Sequence, residues 1–479
     1  MHIAAGLLPK QVLQRHRDGY ATAVVQVCVD AGNTADLQVQ VRHVGQLLEC
    51  VSRNCVVRRR QHGWEIELKM PTGGPYDVTF AAGDARLTVP QVLVGDVWVL
   101  AGQSNMVGDG EVKDALAPHP LVHAFYAWDE WRLAVEPVHF PAGAVDSSHN
   151  AAPLTDRAEI LHAHATAVKG AGLGLAFGQA MVRRTGVPQG LIPCAVGGTS
   201  MAQWRPGLKG QGGRSLYGAM LRRIRVQGQP VAGVLWYQGE AEAYANPTGY
   251  TRQMQRLVRT VRDDLQDLAL PWIVAQLGKT HLFDDEESTQ PFFLSLRERQ
   301  RRLPARISRL SVVPAIDLPM EDGIHLAAEG QIVLGDRMAR AACFQLGIPG
   351  VRDAIALQGL RLIPCPTNWG QCPAIEVTFA NVSGELQAAG VPTGFRLIRP
   401  DGRILKRIHK VLLRGDRLIV VPYTYPDFTL TGFRLAYGYD LDAYCNIQDA
   451  EGMSLPAFAP QRIAPLATAR KVSMASSSR

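Results

Sequence analysis

From Ala21 to Val92 apolar and polar residues alternate along the chain. Leu37, Val39 and Val41 share one side of a period-two repeat, as do Trp64, Ile66, Leu68 and Met70, and then Val78 and Phe80. That rhythm is the mark of strands with one covered face. Asp30-Ala31-Gly32-Asn33 and Pro71-Thr72-Gly73-Gly74-Pro75 read as the turns between them. Residues 1–93 are therefore expected to form a small β-domain resembling a sandwich, with Arg58-Arg59-Arg60 on a solvated strand edge.

Near residue 94 the rhythm changes. Val94-Gly95-Asp96-Val97-Trp98-Val99-Leu100-Ala101 is almost continuously apolar, which suits a parallel strand covered on both faces. Leu191–Val196, Val231–Tyr237, Pro271–Leu277 and Leu310–Ile316 are runs of the same kind, with helical stretches between them. The clearest helix is Tyr250–Leu265, where Met254, Leu257, Val258, Val261 and Leu265 fall on one face and Asn246-Pro247 supplies a cap and a first-turn proline. This alternation predicts an α/β domain over 94–345, a parallel sheet flanked by helices.

Beyond Pro349 the period-two pattern returns in Glu376–Phe379, Gly394–Ile398, Arg417–Val421 and Gly432–Tyr437. A second β-domain is expected over 346–470. Gly-Phe-Arg-Leu occurs at both 394 and 432, too short a repeat to argue duplication. The serine-rich tail 471–479 is expected to be disordered.

A chain of 479 residues exceeds one typical core. Its 47% hydrophobic and 19% charged residues are those of an ordinary globular protein, and no apolar run reaches the roughly 18 to 20 residues that span a bilayer. The formal charge of +7 mildly favours acidic partners, but stretches such as Arg297-Glu298-Arg299-Gln300-Arg301-Arg302 read as solvated helix faces. No nucleic-acid motif accompanies them, so neither nucleic acid nor membrane is an expected partner. The eight cysteines lack metal-type spacing and read as free thiols, Cys50 and Cys55 forming the one close pair. His162-x-His164 lacks a third ligand in sequence and reads as surface histidines. Met1–Lys10 has no charged start, long apolar stretch or small-residue cleavage site. A cytoplasmic location is expected unless a leader was removed.

The chemistry gathers at the ends of the buried runs. Gly102-Gln103-Ser104-Asn105-Met106 follows the first of them, so Ser104 stands at a strand's carboxyl end, where parallel sheets bind ligands. A serine on such a turn can act as a nucleophile while its own N–H faces an oxyanion. Gly197-Gly198-Thr199-Ser200 follows the second run, and its exposed N–H groups are further oxyanion donors or simply a tight turn. Gln238-Gly239-Glu240 follows the third. The Gln238 amide is a candidate donor to the same oxyanion, and Glu240 suits a structural hydrogen bond better than a place beside developing negative charge. After the last run, Asp322 and His325 stand three apart, a spacing that lets a turn aim the aspartate at one imidazole nitrogen. His325 is then the general base.

These blocks, with Trp204 and Trp236-Tyr237, resemble those of the SGNH hydrolases. They resemble more closely the sialate O-acetylesterase group and its acetylxylan esterase relatives in carbohydrate esterase family six. Val12-Leu13-Gln14-Arg15, Gly74-Pro75-Tyr76 and Arg297-Glu298-x-Gln300 extend the likeness over most of the chain. The resemblance implies a flavodoxin-like α/β fold of the SGNH-hydrolase type, with β-domains before and after it. It implies Ser104 as nucleophile, His325 as base, Asp322 as its orienting acid, and an oxyanion hole of the Ser104 N–H, the Gly198 N–H and the Gln238 amide. No cofactor and no metal are implied. Glu242 and Leu326 depart from the family pattern, where aspartate, asparagine or serine and proline are frequent, and both bear on pocket shape.

The expected activity is hydrolysis of O-acetyl esters on carbohydrates, an acetylated sugar being the partner. Trp204 stacking on a sugar ring and Arg205 pairing with a sugar carboxylate form the expected substrate site. Two other readings compete: a non-catalytic carbohydrate-binding protein on a hydrolase scaffold, and an SGNH esterase for other short-chain esters such as acetylxylan.

Overall fold

The computed structural model describes residues 1–29, 35–228, 230–281, 286–366, 373–405, 408–423 and 429–465. The turn expected at 30–33 and the tail 471–479 lie outside the described residues. The chain divides into two compact units, Met1–Ala354 and Ile355–Arg479.

In the first unit the alternating segments form two packed layers. One is an antiparallel sheet of His2–Ala5, Tyr20–Cys28, Gly63–Pro71 and Val56–Arg60. The other joins Gln38–His43 and Gly73–Ala82 to the first half of a long strand, β1 (Ala85–Gly102). Val25, Trp64, Ile66, Leu68 and Met70 from one layer share a core with Val39, Val41, Val78 and Phe80 from the other. Alternation decides this, because every second side chain of a strand points the same way. Val56–Arg60 is an exposed edge whose Arg58 and Arg60 face Glu65 and Glu67.

β1 leaves that sandwich through a segment, Val92–Ala101, that is buried throughout, and its second half becomes the centre of a parallel sheet. The partners are β2 (Val122–Phe125), β3 (Trp131–Leu133), β4 (Gln189–Pro193), β5 (Gly233–Tyr237), β6 (Trp272–Gln276) and β7 (Leu310–Pro314). They lie in the order β3-β2-β4-β1-β5-β6-β7, and only β3 runs antiparallel to its neighbour. Among β1, β4, β5, β6 and β7 the order is that of flavodoxin-like sheets. The chain crosses to one side of β1 for β4 and to the other for β5. Ligands collect at such a reversal, outside the strands' carboxyl ends, and Ser104 stands there.

Helices Leu173–Thr185, Leu216–Val226, Tyr250–Leu265 and Ala328–Leu346 accompany this sheet. Met254, Leu257, Val258 and Val261 of the third are buried, as their spacing predicts. The arginine-rich stretch after 296 corrects the expectation of a solvated face. Arg297 is only 1% exposed and donates to Gly278 O at 2.5 Å, and Gln300 is fully buried with its amide on Gln238 O at 3.1 Å. His164 likewise departs from a surface role, since its ring packs edge-on to Tyr126, Trp128 and Phe140. Cys50 and Cys55 are both free thiols. No helix among the described residues is long and apolar enough to cross a membrane.

Among the described residues, the second unit holds two four-stranded antiparallel sheets and a two-stranded one. The two Gly-Phe-Arg-Leu copies lie in neighbouring strands, with Leu397 opposite Leu435.

Candidate active site

The site begins with a glycine that nothing else could replace. Gly102 has φ +139°, and a Cβ there would lie 2.1 Å from Tyr237 O. Its absence lets β1 and β5 close on each other while the chain turns out of the sheet. Ser104 then opens the short helix Ser104–Val107. As the first helical residue it has no intrahelical acceptor for its N–H, which is left for a ligand.

Two loops approach the Ser104–Val107 helix from opposite sides of β1, one beside Ser104 and the other against Asn105. From β4 comes 195–204, held by Thr199: its hydroxyl donates to Val196 O at 2.7 Å, accepts from Trp204 Nε1 at 3.1 Å, and lies 3.3 Å from Gly102 O. A Cβ built on Gly197 would sit 3.7 Å from Ser104 Cβ, so the loop passes directly beside Ser104. Gly198 is exposed at φ +69°, with open space where a side chain would be. From β7 comes 315–326. Asp322 Oδ1 accepts from the N–H groups of Ile324 and His325, both at 2.7 Å, and Asp322 Oδ2 lies 2.8 Å from His325 Nδ1. Burial works against the Asp322 anion, but these N–H bonds and the imidazole outweigh it and hold the carboxyl down to about 2. With Nδ1 committed to Asp322, Nε2 is the nitrogen available to a substrate.

Asn105 joins the two halves. Its Nδ2 donates to Glu240 Oε1 at 2.7 Å and to Ile324 O at 3.1 Å, and its Oδ1 accepts from Leu326 N–H at 3.0 Å. The side chain beside Ser104 thus bonds the peptide groups on both sides of His325. Leu326, where the family pattern favours proline, supplies one of these bonds, and a proline there would lack the donor. Glu240 is the buried hydrogen-bonding residue its position suggested, and burial raises its carboxyl above the ordinary range.

Two expected roles look different in place. Gln238 is fully buried, and its amide donates to Thr199 O at 3.1 Å and to Glu242 Oε2. Both N–H groups are thereby engaged within the protein, and Glu242 also accepts from Met201 N–H at 2.5 Å. Gln238 and Glu242 together brace the Thr199 loop from beneath. Trp204 is 1% exposed, bonded to Thr199 and packed edge-on against Trp236 at 5.3 Å. A ring so enclosed has no face to offer a sugar, so the expectation of stacking is corrected: the indole is scaffold. Arg205, next along the chain, is exposed.

One contributor escaped the sequence reading. Asp109 Oδ2 lies 3.6 Å from His325 Nδ1, placing a second carboxylate on the imidazole from the loop after the Ser104–Val107 helix. Nothing in the spacing of Asp109 announces this; its position six residues after Gln103 was the only available signal. Asp109, Asp322 and His325 each bring a metal-type ligand atom within 4.8 Å of one another. Asp322 already spends both oxygens on N–H donors, which suits an imidazole between two acceptors better than an ion.

A sequence model of the family described as "Carbohydrate esterase, sialic acid-specific acetylesterase" matches residues 94–344, just over half of the chain. A curated relative, the "Probable carbohydrate esterase" of Arabidopsis thaliana, is 30% identical over 269 residues, covering 51% of this chain and 89% of its own. Among solved structures, a carbohydrate acetylesterase from Xanthomonas citri superposes with a TM-score of 0.63 at 21% identity, covering 95% of this chain and 99% of the other. At that identity the likeness speaks for the fold.

Proposed function

The chain belongs to the sialic acid-specific acetylesterase family of carbohydrate esterases, a family of carboxylic ester hydrolases, and on that premise we propose that it removes O-acetyl groups from carbohydrates through an acyl-enzyme on Ser104. The observation that carries the proposal is the clasp of Asn105 on both sides of His325, which ties the general base to the turn bearing the nucleophile.

In the proposed reaction Ser104 Oγ attacks the ester carbonyl while His325 Nε2 takes its proton. Asp322, ionised and bonded to Nδ1, fixes the tautomer and stabilises the imidazolium. The tetrahedral oxyanion rests on the N–H groups of Ser104 and Gly198, and Gln238 acts one step back by holding the Thr199 loop. His325 then returns the proton to the departing sugar hydroxyl, and water repeats the sequence on the acyl group. Exposed Arg205 is the proposed partner for the carboxylate of an acidic sugar.

Acetate release from a panel of acetylated sugars and from 4-nitrophenyl acetate tests this. The native chain should be active, and Ser104→Ala should lose at least about a thousandfold. Equal release by both would overturn the mechanism. Arg205→Ala should raise KM for acidic sugars alone, and an equal rise on a neutral acetylated xylo-oligosaccharide would remove Arg205 from the substrate site.

A further inference from the structure

We propose that a cleft in the second unit binds carboxylated saccharides through three arginines. It has a volume of ≈690 Å³, and its walls include Arg399, Arg434, Arg462, Phe433, Tyr439 and Pro460. That volume lies within the range of small-ligand sites. The choice of a saccharide rests on the carbohydrate reading of this chain, whereas the demand for an anion does not.

Sheet register brings the charges together. Arg434 stands directly opposite Arg462 on one neighbouring strand and opposite Ile398 on the other, with Arg399 next along the chain. Residues paired across strands point to the same face, and all four line the cleft. One position along, Leu397 and Leu435 pair on the other face and are fully buried. Like charges set opposite each other in a sheet destabilise it. Neither Arg434 nor Arg462 has an ion-pair partner among the described residues. Arg399 meets Asp401 at 3.7 Å with both side chains about half exposed, a contact of little worth.

The unit neutralises other arginines. Arg396 reaches Asp440 at 2.6 Å, and Arg361 and Arg417 share Glu376 at 2.5 and 3.3 Å. The two Gly-Phe-Arg-Leu copies show the contrast directly: Arg396 of the first is paired within the fold, and Arg434 of the second is left facing the cleft. Proteins break such local rules at functional sites.

The lining selects the kind of anion. Among the described residues that line the cleft none is acidic, and guanidinium groups bind carboxylates through paired N–H donors. Partly exposed Tyr439 offers an aromatic face and a hydroxyl to a sugar ring, alongside Pro400 and Pro460. Single-stranded nucleic acid stacks successive bases on successive aromatic side chains, but Phe433 is only 8% exposed, leaving Tyr439 as the accessible ring of the lining. Two turns shape the walls. Arg399 N–H donates to Arg403 O at 2.9 Å and Gly402 N–H to Arg399 O at 3.0 Å, and a Cβ on Gly432 would lie 3.2 Å from Pro400 Cγ.

The test is calorimetric titration of the full chain carrying Arg205→Ala, which removes the other proposed carboxylate partner. The probes are oligogalacturonate, a neutral xylo-oligosaccharide, inorganic phosphate and a single-stranded oligonucleotide. Oligogalacturonate should bind at least about tenfold more tightly than the other three, and more weakly as salt is raised. Arg434→Gln and Arg462→Gln should each weaken it about tenfold or more. Either change relieves the repulsion, so the melting temperature without ligand should hold or rise. No binding, equal affinity for any other probe, or an affinity that neither variant lowers would overturn the site. A fall in both melting temperatures would give the arginines to the fold and overturn it equally. Because the probes carry no ester, failure of the esterase reading is distinct: it shows as acetate release that is absent or that survives Ser104→Ala.

Discussion

Asn105 Oδ1 accepts the Leu326 N–H at 3.0 Å, so the residue that follows Ser104 fixes the residue that follows His325. Asn105→Ala would strand this N–H, the Ile324 carbonyl and the buried Glu240 carboxylate at once. We expect kcat to fall about 10- to 100-fold with little change in KM, because the loss is one of orientation. Stability should fall by about 1–3 kcal/mol. Steady-state kinetics with thermal melts check both, and an unchanged kcat would show that His325 keeps its place without the clasp.

The two carboxylates at His325 Nδ1, Asp322 at 2.8 Å and Asp109 at 3.6 Å, should be partly interchangeable. Asp109→Asn alone should cost about tenfold or less in kcat. Asp322→Asn should cost about 100- to 1000-fold, less than the roughly 10⁴-fold that follows when no second carboxylate is present. The double variant should lose more than the product of the two. Glu240, Glu321 and Lys169 also stand near this cluster and are left unchanged. An Asp322→Asn loss as large as about 10⁴-fold, with kcat unchanged in Asp109→Asn, would remove Asp109 from the imidazole.

Trp204 serves as scaffold, so Trp204→Phe should act on stability and not on sugar choice. Only the Thr199 hydrogen bond is lost, at a cost of about 1 kcal/mol. The ranking of sugars by KM should remain. A selective rise in KM for one sugar class would return the indole to the substrate site.

Glu240 gives stability a pH dependence whose sign follows from burial. Its folded-state pKa lies above the roughly 4.3 of an unfolded glutamate, so its contribution is fully present at low pH and is lost as pH rises through the raised value. Glu240→Gln keeps an oxygen for Asn105 and cannot ionise. The difference in melting temperature between variant and native chain should therefore grow in the variant's favour from pH 4.5 to 7.5, by about 2 °C or more. A constant difference would mean that Glu240 stays neutral throughout.

Much of the architecture was readable because its causes are local. Period-two alternation at Trp64, Ile66, Leu68 and Met70 dictates a one-faced strand, and the apolar run 97–101 dictates a strand covered on both faces. The pairing of Asp322 with His325 is equally local, for three residues in a turn suffice to bring them together. Arg297 and Gln300 were misjudged because polarity alone does not distinguish a solvated side chain from one that satisfies buried carbonyls.

What the sequence by itself determined, then, was the order of strands and helices, the serine at the switch point and the aspartate-histidine turn, each a matter of neighbours along the chain. Tertiary structure alone decided what faces them. Asn105 reaches partners 219 and 221 positions away, Asp109 meets an imidazole carried by another loop, and Trp204 turns inward to hold Thr199. The physical reason is that hydrogen bonds and burial depend on distance in space, which the crossing of the chain to both sides of one central strand establishes.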